Sequence, residues 1–485
     1  SGPLTNAAIT VTMTVSNTAG TGGAAANNVK PSVLTVNGNG TTANLETGPT
    51  PASATITAGG NQQFVWSYEA GRNPGTLTFS GNASGTDANS SADISSTVTS
   101  SNSVTVINLS PAWKYPTDAN VKGPIRTIPI AYDDKIYFGS DDNNLYILND
   151  ETKDLYATFD ASGQIRGIPW PSTEEYTPGV YKDVVYFGTL GNAVYALWED
   201  NTTKWAHTIG QGEYLSTSVL YEPTYGIYFG TSGQKVYCLD ASTGADTWAQ
   251  PAVVGGPIES SPAMIYVPFL YYDEIYFGAN DGKLYGFKAE DGTGARIFDT
   301  GFGSAGAIKS APFIALQDPT DQDSRRLIFF GTANGRFYAV NLNAQDMGTS
   351  ESETGWAVNP KVVGGAINSA PWVDTETIAV YFGCADGKLY AYNLADGTAK
   401  ENFPVDIGAG IDSWPYVANG IVYFGADDGK FYAVDTATGD IVDGWPYDTG
   451  APIKSGVSLQ YVDADHIYVL VGSDSGRVYS FKTAN

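Results

Sequence analysis

The chain has 485 residues and a formal charge of −26. That length allows a large core and more than one domain, and that charge excludes phosphate backbones as partners, so no nucleic-acid binding is expected. No apolar run approaches the roughly 18 residues of a membrane helix, so no membrane insertion is expected. Two cysteines and two histidines are too few for a disulfide framework, and a zinc site or a His-based triad is not expected from His207 and His466, far apart in the chain.

Residues 1–110 carry six charged side chains, Lys30, Glu46, Glu69, Arg72, Asp87 and Asp93. They are rich in Ser, Thr, Asn, Gly and Ala. Alternating runs such as Ile9-Thr10-Val11-Thr12-Met13-Thr14-Val15 and Val104-Thr105-Val106 predict strands. The expectation is an all-β sandwich of about seven strands. The chain begins Ser-Gly-Pro rather than Met, as a processed terminus would, with an expression remnant as the alternative. Asn39, Asn82, Asn89 and Asn201 begin Asn-x-Ser/Thr sequons.

From residue 111 onward a phrase returns eight times: an apolar residue, Tyr-Phe-Gly, a turn, then an apolar residue and Tyr. Its glycines are Gly139, Gly188, Gly230, Gly278, Gly331, Gly383, Gly425 and Gly472. A tyrosine follows each by seven positions, from Tyr146 to Tyr479. A period of about 40–50 residues made of strands and tight turns predicts a β-propeller. Each unit reads as four strands: a first strand with a Gly/Ala-x-Ile-x-Ser-x-Pro theme, the Tyr-Phe-Gly strand, the Leu-Tyr-Ala strand, and a short aromatic tail. The tails are Trp205, Trp248, Trp356, Phe403 and Trp445. Asp281-Gly282, Asn334-Gly335, Asp386-Gly387, Asp428-Gly429 and Ser475-Gly476 predict type I′ hairpin turns, and Gly191-Asn192 and Gly233-Gln234 predict type II′. The last unit stops after its third strand, at Ser480-Phe481-Lys482. The first is preceded by an extra Ala112-Trp113-Lys114-Tyr115, which would supply the missing strand and close the ring. Count and closure predict eight blades; seven is the alternative if the divergent last unit is not a full blade. Cys238 and Cys384 fall on blades that are not neighbours, so no disulfide is expected.

The residue after each first-strand Ile approaches the axis of such a ring. These residues are Arg126, Arg166, Leu215, Glu259, Lys309, Asn368, Asp412 and Lys454. Arg126, Arg166 and Lys454 fall in one sector and form a candidate anion site, against the alternative of salt bridges that only set blade register. Asp318, Asp321 and Asp323 put three carboxylates in one short loop, a candidate Ca²⁺ site, against the alternative of a solvated loop. Long connections fall at 171–181, 267–273, 317–326 and 343–354. All emerge on one face of a four-stranded meander and point to a partner surface there.

Residues 112–485 resemble the pyrroloquinoline-quinone (PQQ)-like propeller repeats. The resemblance rests on the Tyr-Phe-Gly-x-x-Asp-Gly-Lys-Leu-Tyr-Ala phrases and on tails such as Asp240-Ala241-Ser242-Thr243-Gly244 leading to Trp248, and it implies that the tail tryptophan docks one blade on the next. Residues 1–110 resemble the Ig-like repeats of bacterial and archaeal surface proteins, as in Thr14-Val15-Ser16-Asn17-Thr18-Ala19-Gly20. Quinoprotein dehydrogenases share the propeller but carry a vicinal cysteine pair over their cofactor, often a haem-attachment motif, and a Ca²⁺-bound carboxylate set. The two cysteines here are far apart, and the other motifs have no match. The resemblance therefore implies the scaffold and not the oxidation. The expected fold is an Ig-like β-sandwich (1–110) followed by an eight-bladed propeller (111–485). The expected function is a secreted or cell-surface binding and assembly protein, non-catalytic and without a cofactor, acting on protein partners or by self-assembly in an extracellular filament or surface layer. The alternative is a quinoprotein-like enzyme holding PQQ or another anion in the funnel.

Overall fold

The computed structural model describes residues 8–19, 23–39, 42–70, 75–106, 111–117, 120, 122–267, 272–294, 296–321, 323–343, 347, 354–442, 444–463 and 466–483. They fold almost entirely as β-strands, with a single short 3-10 turn at Gly303–Gly306. The chain divides into two compact units, the second being Pro111–Val442 with Pro446–Asn485.

In the N-terminal unit, Asn61–Ala70 lies between Ala8–Ser16 and Ala43–Thr50. Two further sheets are built around Gly75–Gly81 and around Ala26–Pro31 with Ala83–Asp87. The alternation read from the sequence is present: Thr10, Thr12 and Thr14 face outward while Ile9, Val11 and Met13 pack on the core. Phe64, Trp66, Tyr68, Leu77 and Phe79 form the centre of that core, each at most 2 % exposed. The strands number eleven in three sheets, where the sequence predicted about seven. Register shifts at Leu45/Thr47 and Asn27/Lys30 interrupt the ladders within these strands.

In the second unit, eight antiparallel sheets of four strands follow one another along the chain. Successive residues of a strand point to opposite faces, and here both faces are covered. Tyr137 packs with Ile165, Val185 and Phe187 of the second sheet. Phe138, next in sequence, packs with Leu470 and Val478 of the last. The Tyr-Phe pair thus serves two interfaces at once. The glycine that follows is required by the next first strand. A Cβ on any of the eight glycines would lie 1.7 to 2.6 Å from the Ile or Leu side chain that covers it; Leu215 covers Gly188 and so takes the place of the Ile in its unit, not the axial position expected of it. Gly139 is covered by Ile165, and the series ends with Gly472 under Ile125 of the first unit.

Backbone hydrogen bonds repeat the same pattern. Ile165 N–H donates to Ser140 O, and seven equivalent bonds follow, all 3.1 Å long, the last from Ile125 to Ser473. Trp113–Tyr115 pairs with Arg477–Lys482, Trp113 opposite Ser480, so the two ends of the repeat region share one sheet as expected. Trp205, Trp248 and Trp356 are buried. Each donates its indole N–H to a carbonyl of the following sheet, Ala241, Ala289 and Leu394 respectively. Trp445 departs from the set, being only half-buried.

The hairpin turns differ from those predicted. Asp281 and Gly191 do not have positive φ; Gly282 (81°), Asn192 (67°) and Gln234 (64°) do. Ala279 and Lys283 close a three-residue loop, with Gly282 N–H donating to Ala279 O. This is a type I turn followed by one left-handed residue. The preceding Asp is chosen for its side chain: Asp142, Asp281, Asp386 and Asp428 accept the hydroxyls of Tyr146, Tyr285, Tyr390 and Tyr432 at 2.6 to 2.8 Å. Cys238 and Cys384 are free and buried.

Candidate functional site

The segments leading into the first strands, which begin only at Ile130 and Trp170, bring Arg126 and Arg166 to a common carboxylate, but not as a free anion site. Arg166 grips Asp141 with two bonds of 2.9 and 3.0 Å. Arg126 grips Asp474 with bonds of 3.0 and 3.1 Å, and lies 3.7 Å from Asp141. Lys454 bonds Asp412 at 2.7 Å and Asp427 at 2.5 Å. The Asp474 bond holds the Arg126 pKa above its ordinary value. Burial opposes the charge of Lys454, yet its two aspartates still keep its pKa above the usual lysine value. Lys309 pairs with Glu259 at 2.9 Å, and Asn368 donates to Asp412. The sector expected to bind an anion is a neutralised girdle, because fork-to-carboxylate pairing meets the guanidinium donors within the protein.

The partners missed in the sequence obey a rule of the repeat. The residue after a first-strand Ile reaches the second residue beyond the glycine of the preceding unit: Arg166 to Asp141, Lys454 to Asp427, Arg126 to Asp474. Aspartate stands at that position only in these three units. Comparing the two positions across units would have exposed the pairing.

Asp318, Asp321 and Asp323 do not converge on a metal. Asp318 accepts Thr320 N–H and its hydroxyl, and the Thr320 hydroxyl holds the Asp318 carboxyl below its usual range. Asp321 accepts Asp323 N–H. Local turns use these oxygens, as in a solvated loop. The Asn201 sequon is also compromised, since its amide nitrogen donates to Thr158 O at 3.0 Å.

The open space lies further along the first strands. A cavity of about 320 Å³ is lined by residues from all eight sheets, three to six positions after each Ile or Leu. Its lining is mostly apolar and aromatic, including Trp170, Phe313, Trp372, Trp414 and Tyr416, with the polar side chains of Ser218, Ser261 and Ser458 and no carboxylate, ammonium, imidazole or thiol. Trp372 lies against Tyr416 with ring centroids 4.0 Å apart and planes tilted by 32°, and meets Phe313 edge-on at 5.5 Å. The Trp372 indole nitrogen is buried without a hydrogen-bond partner. First strands run from this cavity into the first-to-second connections. The connection at 171–181 is a long hairpin of Trp170–Thr177 and Val180–Gly188, with Trp170, Tyr176, Val180 and Tyr181 exposed. The connections at 267–273 and 343–354 fall largely outside the described residues.

Repeated four-stranded sheets, joined in a series that returns to its start, define a β-propeller-like fold of the PQQ type. The chain belongs to the repeat family described as outer membrane protein assembly factor BamB, whose pattern matches residues 100–252, 225–345 and 345–485. No curated protein sequence matches the chain. Among solved structures, BamB from Moraxella catarrhalis is similar with a TM-score of 0.57 at 13 % identity, covering 77 % of this chain and 100 % of its own. Sqt1 of Saccharomyces cerevisiae aligns with a TM-score of 0.61 at 12 % identity, over 78 % and 100 %. The quinohemoprotein alcohol dehydrogenase of Comamonas testosteroni gives 0.60 at 14 %, over 78 % and 77 %. At such identities the similarity is one of fold alone.

Proposed function

We propose that this chain is a non-catalytic binding and assembly protein of the cell surface, an eight-bladed propeller behind an Ig-like module. The observation that carries the reading is the axial cavity. Its largely aromatic, uncharged lining suits apolar side chains of a partner, and its serine hydroxyls have no carboxylate or imidazole among the lining residues to act as their base. The exposed Trp170, Tyr176 and Tyr181 of the neighbouring hairpin extend the same chemistry, and Trp and Tyr are the residues that most often dominate interface energetics. The match to the family of an assembly factor favours the same reading.

Self-assembly through the N-terminal unit is the second part of the proposal. Ala8–Ser16 pairs only with Asn61–Ala70 among the described residues. It is a nine-residue edge strand with no Lys or Pro to block it, and an open edge accepts a further strand.

The test uses the whole protein as bait on native cell envelopes. A partner captured by the wild type should be lost with Trp372→Ala and Trp170→Ala, while Trp113-containing closure stays intact by circular dichroism. Equal capture by both variants overturns the cavity as the docking site. A PQQ absorbance signature with dye-linked alcohol oxidation after adding PQQ and Ca²⁺ overturns the non-catalytic reading. Uniform monomers of native material under negative stain remove the self-assembly part.

A further inference from the structure

We propose that Asp133, Asp134 and Asp183 form a divalent-cation site of the Ca²⁺ class that ties the first four-stranded sheet of the second unit to the next. Asp133 and Asp134 make the turn between Ile130–Tyr132 and Lys135–Gly139. Asp183 lies on Val180–Gly188 of the neighbouring sheet. One carboxylate oxygen from each of the three lies within 4.8 Å of the others. Oxygens sharing a Ca²⁺ at about 2.3–2.6 Å stand at most about 5 Å apart, so the set fits one ion.

A buried oxygen distinguishes this cluster from an ordinary acidic surface. Asp183 is only 5 % exposed. Its Oδ1 accepts the Thr173 hydroxyl at 2.8 Å, but its Oδ2 is shielded from water and has no partner. A buried carboxylate oxygen without a hydrogen bond is costly unless a cation meets it.

The charge of Lys135 acts on Asp183 but leaves its Oδ2 without a hydrogen bond. Its ammonium is held by Asp134 at 2.5 Å and Glu199 at 2.8 Å, and one positive charge faces four carboxylates. The donors are all oxygen, which suits Ca²⁺ or Mg²⁺ and not zinc or copper. Asp133 and Asp134 are exposed, so water can complete the six to eight ligands that Ca²⁺ takes. Mg²⁺ needs stricter octahedral geometry and gives up its water reluctantly. The Thr173 hydroxyl fixes the Asp183 carboxylate as an outer partner does in metal sites.

The experiment is calorimetric titration of the full chain, stripped with EDTA, with CaCl₂ in about 0.15 M NaCl to screen diffuse attraction. Saturable binding with a raised Tm is expected. Asp183→Asn should weaken Ca²⁺ at least about tenfold. Asp133→Asn, at an exposed turn, should do the same and keeps the test sound if Asp183→Asn folds poorly. The double change Asp318→Asn with Asp321→Asn should leave binding intact. Absence of saturation up to about 10 mM CaCl₂, roughly tenfold above the weak end of known Ca²⁺ sites at about 1 mM, overturns the site. So does unaltered affinity in Asp133→Asn. Mg²⁺ binding as tightly as Ca²⁺ overturns the assignment of ion class.

Discussion

At the scale of single residues, the repeat shows what each conserved-in-register side chain does. Trp248 is 3 % exposed and donates to Ala289 O at 3.0 Å in the following sheet. It also covers Gly292, where a Cβ would lie 2.5 Å from the ring. Replacing Trp248 by Ala should cost about 3–5 kcal/mol, as for other large buried aromatics; a denaturant titration showing less than about 1 kcal/mol would contradict that role. The girdle arginines carry a different expectation. Asp141 and Asp474 are largely covered, with side chains 9 % and 15 % exposed. Arg126→Ala with Arg166→Ala leaves both without their main partner, so it should destabilise by roughly 1–3 kcal/mol and leave binding of small polyanions unchanged. The buried thiols are a third case. Burial pushes Cys238 up to about 11 and Cys384 up to about 12. The folded state holds these protons more tightly than the unfolded chain. Their contribution is therefore full below the ordinary thiol pKa of about 8.5 and is lost as pH climbs through 11 and 12. At pH 8 neither is a thiolate, so a thiol reagent should label the native protein slowly and both positions promptly in denaturant.

At the scale of elements, Trp113–Tyr115 matters more than its three residues suggest. It covers the outer edge of Arg477–Lys482, and without it that strand would present an unpaired ladder. Deleting residues 112–116 should therefore give a protein that retains most of its β-structure by circular dichroism but aggregates, as light scattering would show. A variant that stays monomeric would mean the edge is protected by something other than this strand. The closing strand was legible in the sequence because a repeat array must begin and end somewhere, and the surplus at one end matched the deficit at the other. The turns were less legible. Both a type I′ turn and a type I turn with a left-handed third residue take Gly, and the sequence signal of Asp-Gly does not separate them. The Tyr hydroxyl bonded to that Asp does, but it becomes visible only once the hairpin is folded.

Across the whole molecule, what could be read in advance was what every unit repeats. The glycine under the next Ile and the Tyr-Phe pair recur because each sheet faces the same two neighbours. What could not be read was what each unit does differently. The axial cavity is assembled from Ile128, Ile168, Ser218, Ser261, Ala311, Ala370 and Trp414, equivalent positions with no shared chemistry, so no motif announces it. The carboxylates of Asp133 and Asp183 converge from separate sheets with no spacing to mark them. Charge is the one property of the whole chain that composition does announce, and it yields the last expectation. A net charge of −26 repels itself in the folded state, and salt relieves this because the Debye length falls from about 30 Å at 0.01 M to about 10 Å at 0.1 M. The girdle pairs oppose that trend, since salt weakens attraction too, but their partial burial screens them less. Self-repulsion therefore dominates, and Tm should rise as NaCl increases over that range. A falling Tm would mean that the ion pairs, and not the net charge, set the electrostatic part of stability.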